Sequence, residues 1–276
     1  MIEFLKVVIL GIVEGITEFL PVSSTGHLIL VNQFVSLEPK SFENAFNVII
    51  QLGAILSVVV LYFSALYPFK EGKSLKDKWE LRDLSIMRLL AKIIVGVLPA
   101  MVLGFIFDDL IDAYLFNRYT VAIALVFYGI IIILMENRNK NRSFKFETIE
   151  DIDLKTIFLI GCFQCLAMIP GTSRSAATII GAMILGSSRK AAAEFSFFLA
   201  IPTMLGATAL KIIKIGFSFS LNQWLMILVG GVVSFLVAYL VITKFMGYIK
   251  KHDFKVFGYY RIALGIVVIL SILIIK

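Results

Sequence analysis

Six long apolar stretches constrain this chain more than any other feature of its sequence. Each of them approaches the roughly 20 residues that an α-helix needs to cross the hydrocarbon core of a bilayer. Because a backbone in hydrocarbon must satisfy its hydrogen bonds within its own segment, we interpret all six as helices. The stretches are Ala45–Phe63, Ile93–Phe107, Tyr119–Met135, Phe195–Leu210, Trp224–Thr243 and Arg261–Ile275.

Composition supports this class and excludes others. With 59% hydrophobic residues and a mean hydropathy of +0.95, a chain of 276 residues has too little polar surface for a water-soluble domain. The formal net charge of +7 lies in loops and does not interleave with aromatic residues, so we expect no nucleic-acid partner. We do not interpret the N-terminus as a cleavable signal peptide, because Glu14 and Glu18 fall where its apolar region would be. Cys162 and Cys165 have no second pair, so we interpret them as helix-packing residues.

The positions of the charges predict how the chain is threaded. Most of the 26 Lys and Arg residues form four groups, at 70–92, 136–155, 189–190 and 244–255. Positive residues gather on the cytoplasmic side, and all four groups can lie there only if segment 156–186 enters and leaves on the same side. Pro170 and Gly171 interrupt the middle of that segment. We therefore predict a helix–turn–helix hairpin that turns back inside the membrane, where it is buried in protein or lines a cavity.

The first 35 residues predict a second hairpin, because Pro21 to His27 interrupt them in the same way. Counting from the basic groups, this hairpin dips in from the opposite face. The two segments also resemble each other, and chance similarity between Gly- and Ser-rich apolar strings is the alternative. Gly11-Ile12-Val13-Glu14 aligns with Gly161-Cys162-Phe163-Gln164, and Pro21-Val22-Ser23-Ser24 aligns with Pro170-Gly171-Thr172-Ser173 after a one-residue deletion.

Interrupted apolar segments at matching positions in two halves indicate an inverted-topology repeat, with the site where the interruptions meet. The predicted fold is an all-α polytopic membrane protein with two re-entrant hairpins and about six full transmembrane helices. It forms one integral membrane domain over residues 1–276. Repeat one covers about 1–135 and repeat two about 156–276, and the basic cytoplasmic loop 136–155 joins them.

Two carboxylates in the first hairpin predict chemistry. Glu14 and Glu18 lie one helical turn apart and share a face. At membrane depth each is costly to ionise, so a proton, a divalent cation or a nearby base must compensate for them. Oxygen ligands of this kind suit Mg²⁺ or Ca²⁺, which also neutralise phosphate oxygens. The alternative is a helix end at the surface with both carboxylates solvated.

The two interruptions predict an anion site. Ser23, Ser24, Thr25, Gly26 and His27 offer hydroxyls, an imidazole and the amides of a new helix, which favour an anion. A lone histidine is usually structural, but this one follows two carboxylates and three hydroxyls.

Arg174 is the strongest single signal. Its guanidinium stays charged, and its planar fork matches phosphate oxygens. The flanking residues Gly171, Thr172, Ser173 and Ser175 complete a second phosphate cradle. A salt bridge from Arg174 to Glu14 or Glu18 is the alternative, and the two roles are compatible if phosphate displaces the carboxylate.

These residues supply charge neutralisation, candidate nucleophiles and a proton acceptor, as phosphoryl transfer requires. The sequence has no Walker-type motif, so ATP is not the implied phosphate donor. Two motifs closely resemble the signatures of the bacterial undecaprenyl-diphosphate phosphatase family, which is linked to bacitracin resistance. They are Glu14-Gly15-Ile16-Thr17-Glu18-Phe19-Leu20-Pro21-Val22-Ser23-Ser24-Thr25-Gly26-His27 and Pro170-Gly171-Thr172-Ser173-Arg174-Ser175.

The resemblance covers nearly the whole chain and implies a metal-dependent hydrolysis of undecaprenyl diphosphate to the monophosphate, which recycles the lipid carrier of cell-wall synthesis. It implies interlocked repeats in the bacterial plasma membrane, a site that opens outward, and bacitracin as a competitor for the substrate. By motif position Glu14 and Glu18 act through metal or as base, Ser24 and His27 are candidates for attack and proton transfer, and Arg174 holds the diphosphate. Ala176, usually Gly, and Ile169, often Trp, depart from the family pattern.

The sequence leaves several alternatives open. Ser24, His27 or water could attack. The substrate-binding set that we predict is Ser23, Thr25, Gly26, Gln164, Gly171, Thr172, Ser173, Arg174 and Ser175. A transporter or flippase of a polyprenyl phosphate lipid is the rival class, because broken helices in inverted repeats are transporter architecture. A non-catalytic scaffold leaves the intramembrane charges unexplained. Paired small residues such as Gly230 and Gly231 allow tight helix contacts, including those of a homodimer.

Overall fold

The computed structural model describes residues 2–67, 84–115, 117–140, 142–215 and 219–274, and these residues are almost entirely helical. A short 3₁₀ helix, Cys165–Met168, follows α8. The α-helices in chain order are α1 (Ile2–Thr17), α2 (Ser24–Val31), α3 (Lys40–Ile49), α4 (Gln51–Leu61), α5 (Phe63–Leu66), α6 (Leu84–Leu115), α7 (Arg118–Asn139), α8 (Leu154–Gln164), α9 (Arg174–Ile184), α10 (Arg189–Ile215), α11 (Leu221–Ile249) and α12 (Lys255–Ile274).

Six segments of the described chain are long and apolar enough to cross a membrane, which confirms the predicted class. They are Lys40–Leu61, Leu84–Phe107, Arg118–Asn139, Arg189–Lys214, Leu221–Ile249 and Lys255–Ile274. Each begins before the apolar stretch predicted for it, because polar residues at the ends of a span also join the helix. The last predicted stretch ends at Ile275, which lies outside the described residues. Large apolar side chains such as Phe105, Ile123 and Ile213 are exposed, as expected of helices that face lipid.

The second hairpin, α8 and α9, enters and leaves at one face. Backbone bonds join the loop before α8 to the residues after α9: Lys145 N donates to Gly186 O at 2.9 Å, and Ser188 N donates to Phe146 O at 2.8 Å. Both helices are too short to cross a membrane. The hairpin therefore returns to the side from which it started, as the charges predicted.

The basic groups meet at that same face. Lys92 Nζ donates to Ile149 O and Glu150 O, both at 2.8 Å. Arg189 Nε donates to Glu136 at 2.9 Å, and the same carboxylate accepts from the backbone of Phe254. These contacts connect all four predicted groups, although part of the first group, Lys70 to Arg82, lies outside the described residues.

The first hairpin, α1 and α2, also returns to its starting side. Lys6, near the start of α1, donates from Nζ to the backbone oxygen of Ser36, which follows α2, at 2.9 Å. Ser23 and Val22, in the turn between the two helices, are almost completely buried. Both interruptions are thus enclosed by protein, a setting in which non-helical backbone survives at membrane depth.

Glycines let helices of the two halves interlock. A Cβ atom on Gly11 of α1 would lie 2.8 Å from Gly230 O on α11. A Cβ atom on Gly161 of α8 would meet the backbone oxygen of Gly96 on α6. The first hairpin therefore packs against a helix of the second half, and the second hairpin packs against a helix of the first. Gly230 is used within the chain here, and a homodimer stays a prediction.

We expect Gly53→Ala to lower the stability of the protein and Gly206→Ala to leave it unchanged or raise it. A Cβ on Gly53 would collide with the backbone of Gly231, where α4 and α11 cross, whereas a Cβ on Gly206 would meet nothing within 4 Å. Overpacking costs about 1–3 kcal/mol, and alanine in an exposed helix gains up to about 1 kcal/mol over glycine. Melting temperatures in detergent measure both effects. Equal shifts for the two variants would contradict the close contact.

Candidate active site

A serine with an unusual backbone conformation immediately precedes the second helix of each hairpin. Ser23 has φ 73° and Ser173 has φ 72°, and within the described chain no other residue except glycine has a positive φ. Each serine is an N-cap: Ser23 accepts from Gly26 N and Ser173 from Ala176 N, both at 3.3 Å. A left-handed conformation costs energy in any residue with a Cβ. Two such residues in matching positions therefore mark a shared local design.

The matching serines change the register of the repeat. The sequence alignment paired Ser24 with Ser173 after a deletion, whereas the shared cap pairs Ser23 with Ser173. No deletion is then needed, because Gly11 and Gly161 are separated by the same number of residues as the serines. Matching Pro21 with Pro170 made the sequence alignment wrong by one residue, because Pro21 corresponds to Gly171 in the structure.

The two turns meet at the carboxylate of Glu18. Arg174 Nη2 donates to Glu18 Oε1 at 3.1 Å, and Ser24 Oγ donates to Glu18 Oε2 at 2.9 Å. Arg174 and Ser24 are the first residues of α9 and α2, so side chains from the N-terminal ends of two helices bond to one carboxylate. The first N–H groups of a helix have no partner within it, and they favour an anion. The predicted convergence is confirmed, and the predicted ion pair of Arg174 is with Glu18.

Protein groups hold the guanidinium of Arg174 on several sides. Nη1 donates to the backbone oxygen of Ser196 at 2.7 Å and to its hydroxyl at 3.3 Å. Thr178, one turn further along α9, donates to the same hydroxyl at 2.7 Å. The ring of Phe19 lies 5.7 Å from the guanidinium carbon. These contacts fix the fork in place before any ligand arrives, and sequence reasoning did not identify Ser196.

Glu14 is fully buried, and no group of the described residues donates a hydrogen bond to either of its carboxylate oxygens. A buried carboxylate without a partner is costly, so its oxygens fit a proton or a cation. Glu18 N donates to Glu14 O at 3.0 Å, which keeps the two acidic residues one turn apart. Among the described residues, no three or more His, Cys, Asp and Glu side chains come together in a group that could hold a metal ion by itself. A cation here would take its remaining ligands from hydroxyls, water or substrate.

His27 is held at both ring nitrogens. Nδ1 lies 2.7 Å from the backbone oxygen of Ser23, which can only accept, so Nδ1 carries the proton. Nε2 is then the acceptor, and it lies 2.6 Å from the hydroxyl of Tyr260, whose ring stacks on the imidazole. Sequence reasoning missed Tyr260 because it lies in the last apolar helix, far along the chain.

The other predicted residues surround this centre. Ser175 Oγ donates to the backbone oxygen of Leu20 at 2.9 Å and lies 3.0 Å from Ser173 Oγ, so a second bond joins the turns. Thr172 is buried and its hydroxyl has no partner. Gly26 is buried and Thr25 half-buried in the first turn of α2, and Gly171 has φ 91°, which suits glycine.

Gln164 lies apart from the hydrogen-bonded centre. It occupies the place in α8 that Glu14 has in α1, but its Nε2 donates to Thr203 on α10 at 3.2 Å. Its amide oxygen is buried and has no partner. The structure therefore does not connect it by a hydrogen bond to Glu18 or Arg174, and its predicted role in substrate binding stays a prediction.

A second buried arginine also escaped sequence reasoning. Arg261 was interpreted only as the start of the last apolar stretch, but its side chain is fully buried and donates to backbone oxygens of both turns. A charged residue inside an apolar span is a functional candidate by default. That rule could have identified it.

Comparison with known proteins gives one consistent result. Residues 7–267 match the model of the family described as "Bacitracin resistance protein BacA". The chain is 56% identical over 270 residues to "Undecaprenyl-diphosphatase 1" of Clostridioides difficile (strain 630), covering 98% of this chain and 96% of that protein. It is 50% identical over 277 residues to "Undecaprenyl-diphosphatase" of Acetivibrio thermocellus, covering all of both. It is 53% identical over 273 residues to the protein of that name from Limosilactobacillus fermentum, covering 98% and 97%.

Proposed function

Because the chain belongs to the bacitracin resistance protein BacA family, we propose that it hydrolyses undecaprenyl diphosphate to undecaprenyl phosphate and inorganic phosphate. The reaction recycles the lipid carrier of cell-wall synthesis. One observation carries the proposal beyond the names of the relatives. The carboxylate of Glu18 accepts hydrogen bonds from the guanidinium of Arg174 and the hydroxyl of Ser24, the first residues of two helices, where two buried turns come together.

Arg174 and the two helix N-termini bind the diphosphate. Phosphoryl transfer needs neutralisation of the charge on the non-bridging oxygens, and fixed donors in a site that excludes water supply it effectively. The Arg174 fork exchanges Glu18 for phosphate when substrate binds and keeps its bonds to Ser196. Thr172 and Ser173 immediately precede α9, and their hydroxyls complete the cradle.

Ser24 is the attacking group that the hydrogen bonds favour. Its Oγ already donates to Glu18, which accepts the proton as Oγ bonds to the terminal phosphorus. The bond from that phosphorus to the bridging oxygen breaks, and undecaprenyl phosphate leaves. Water then hydrolyses the phosphoserine. Both nitrogens of His27 are engaged with Ser23 and Tyr260, so we assign His27 to proton transfer at Nε2 rather than to attack.

A divalent cation, Mg²⁺ or Ca²⁺, fits beside Glu14 and Glu18. The two oxygens of Glu14 receive no hydrogen bond from the described residues, and hard cations prefer carboxylate oxygen. When bound, it would neutralise phosphate charge next to the acidic pair.

We place the protein in the bacterial plasma membrane with the site opening outward. The face where the basic groups meet is cytoplasmic by the distribution of positive charge. Ser24, Thr25 and His27 are half-buried and belong to the hairpin from the opposite face, whereas Arg174 and Ser175 are buried. Bacitracin would compete for the same diphosphate lipid from that side.

Phosphate release tests the proposal. Purified protein in detergent, without any membrane gradient, should release inorganic phosphate from undecaprenyl diphosphate, and chelator should suppress the release until Mg²⁺ or Ca²⁺ is restored. Labelled phosphate should be trapped on protein that contains Ser24 but not on Ser24→Ala. A protein that moves the lipid across vesicles but releases no phosphate would be a flippase, and the proposal would fail.

Tyr260→Phe should lower kcat about 2- to 10-fold, the usual worth of one neutral hydrogen bond. Without the hydroxyl, His27 keeps its bond to Ser23 but Nε2 loses its donor. The ¹⁵N signals of the imidazole report the change directly. His252→Gln leaves His27 as the sole histidine, because the chain has two. An Nε2 signal that does not move in Tyr260→Phe would show that the hydrogen bond is not formed.

A further inference from the structure

Arg261 is fully buried in α12, and its donors reach both turns of the site. Nη1 donates to Pro21 O at 3.2 Å in the first hairpin, and Nη2 donates to Gly171 O at 2.8 Å in the second. Nη2 also lies 3.5 Å from Ala124 O on α7, and the guanidinium carbon lies 6.0 Å from the ring of Tyr128. One side chain therefore bonds to three other parts of the chain.

The surroundings of Arg261 make its retention costly. Within the described chain no carboxylate forms an ion pair with Arg261. A guanidinium stays charged at any accessible pH, and an uncompensated charge inside a membrane protein is expensive. Among the described residues, carbonyl and ring dipoles are the groups that offset the charge. An apolar residue would fill the place at lower cost, so a function must explain the arginine.

The carbonyls that Arg261 binds are equivalent in the two halves. Pro21 and Gly171 each precede a positive-φ serine by two residues. They lie where the chain has left one helix and has not begun the next, so the helices do not satisfy their carbonyl oxygens. Orphan carbonyls at membrane depth need a donor from elsewhere in the protein. The planar fork supplies a donor to each of them, and one rigid group thus fixes the spacing between the turns.

We propose that Arg261 is the positioning residue that holds the two re-entrant turns in register. On the first turn Ser24 lies three residues after Pro21, and on the second Arg174 lies three residues after Gly171. The clamp therefore sets how Ser24 and Arg174 approach the carboxylate of Glu18. Arg261 itself does not touch the substrate. Its catalytic effect rests on the proposed function, whereas its effect on the spacing of the turns does not.

Spin labels on the two hairpins measure the spacing. Ile16 and Leu166 are suitable because both are partly exposed, at 40% and 37%, and each lies shortly before its turn. Cysteines replace these two residues after Cys162 and Cys165 have been changed to serine. We expect one narrow distance distribution in this parent protein. Arg261→Met should shift or broaden it and lower kcat about 100-fold, since a displacement of about 1 Å can cost that much.

Arg189→Met is the control, because Arg189 is also an arginine that joins separate helices, here through a partly buried ion pair with Glu136, but its bonds reach neither turn. It should lower the melting temperature without altering the distance distribution or the kcat of the folded protein. Arg261→Lys keeps the charge and is the variant to use if Arg261→Met does not fold. A single ammonium cannot hold two carbonyls apart as the fork does, so we expect a broadened distribution and a kcat at least tenfold lower.

Two results would overturn the clamp. One is an unchanged distance distribution in Arg261→Met, whatever its kcat. The other is an Arg261→Lys protein that matches the parent in both distance and kcat. If the parent itself releases no phosphate from undecaprenyl diphosphate, the proposed function fails, and the distance comparison still decides whether Arg261 holds the turns.

Discussion

We expect Arg174→Ala to lower kcat/KM for undecaprenyl diphosphate about 10³-fold, and Arg174→Lys to recover only part of that loss. Removing one fixed donor from a site of developing negative charge typically costs about 10²–10³ in rate. Arg174 supplies two terminal nitrogens, held in place by Ser196 and Glu18. Lysine restores the charge but not the planar fork, which is why the substitution is not conservative at such a site.

The same substitution should also destabilise the protein, and that effect must be separated from catalysis. Without Arg174 the Glu18 carboxylate, 4% exposed, loses its counter-charge. Breaking a buried ion pair on one side costs about 3–5 kcal/mol, whereas replacing both partners with neutral groups is often nearly neutral. We therefore expect Glu18→Gln combined with Arg174→Met to recover stability but not activity.

Steady-state kinetics and melting temperatures in detergent measure the two effects. An Arg174→Ala protein with near-normal kcat/KM would remove Arg174 from the site. A double variant as unstable as Arg174→Ala alone would show that the ion pair with Glu18 is not what stabilises the guanidinium. Labelled phosphate trapped on Ser24 in the Glu18→Gln variant at the normal rate would exclude Glu18 as the proton acceptor.

Glu14→Gln should lower activity but raise stability. We expect a kcat about 10²-fold lower and a higher melting temperature in the presence of chelator. Both Glu14 oxygens are buried and receive no hydrogen bond from the described residues, so the charged form is costly when no cation is bound. A neutral amide of the same shape removes that cost, and we expect a gain of about 1 kcal/mol or more. The loss of rate follows if the carboxylate helps to bind a cation at the phosphate.

Added Mg²⁺ or Ca²⁺ distinguishes the two effects without measuring activity. Either cation should raise the melting temperature of the unmodified protein and should not raise that of Glu14→Gln, because a ligand that binds the folded state stabilises it. A Glu14→Gln protein that keeps its cation-dependent shift would contradict the assignment of Glu14 as a ligand.

Glu136→Gln is the control for burial alone. Glu136, which is 1% exposed, is buried like Glu14. Unlike Glu14, it accepts hydrogen bonds from Arg189 and from the backbone of Phe254. Losing hydrogen bonds to a charged group costs about 2 kcal/mol, so this variant should be less stable than the unmodified protein in chelator. The opposite changes in stability would show that the Glu136 carboxylate stabilises the fold, whereas the Glu14 carboxylate destabilises it when no cation is bound.

The interlocking of the repeats explains why the site can be fixed at all. Neither hairpin packs chiefly against its own half: α1 lies on α11 at Gly11 and Gly230, and α8 lies on α6 at Gly161 and Gly96. Helices in lipid associate through close packing and hydrogen bonds rather than through water exclusion, and glycine allows the closest approach. Two turns that belong to different halves of the chain are thereby held against each other.

The sequence by itself determined the membrane class, the six spans and the same-sided return of both hairpins, and it singled out Glu18, Ser24 and Arg174, which the structure brings together. Hydrophobic length and charge placement decide these features, because lipid tolerates neither open backbone nor solvated charge. The hydroxyls, carboxylates and Arg174 stood out for the same reason, since each is out of place in an apolar segment.

Only the tertiary structure decided which partner each group has. It paired Arg174 with Glu18 rather than Glu14, left Glu14 without a partner, corrected the repeat register through Ser23 and Ser173, and brought in Tyr260 and Arg261. These facts depend on backbone conformation and on contacts between residues far apart in the chain. Spacing along one segment cannot reveal them, because the distance between two turns is set by helices that belong to the other half.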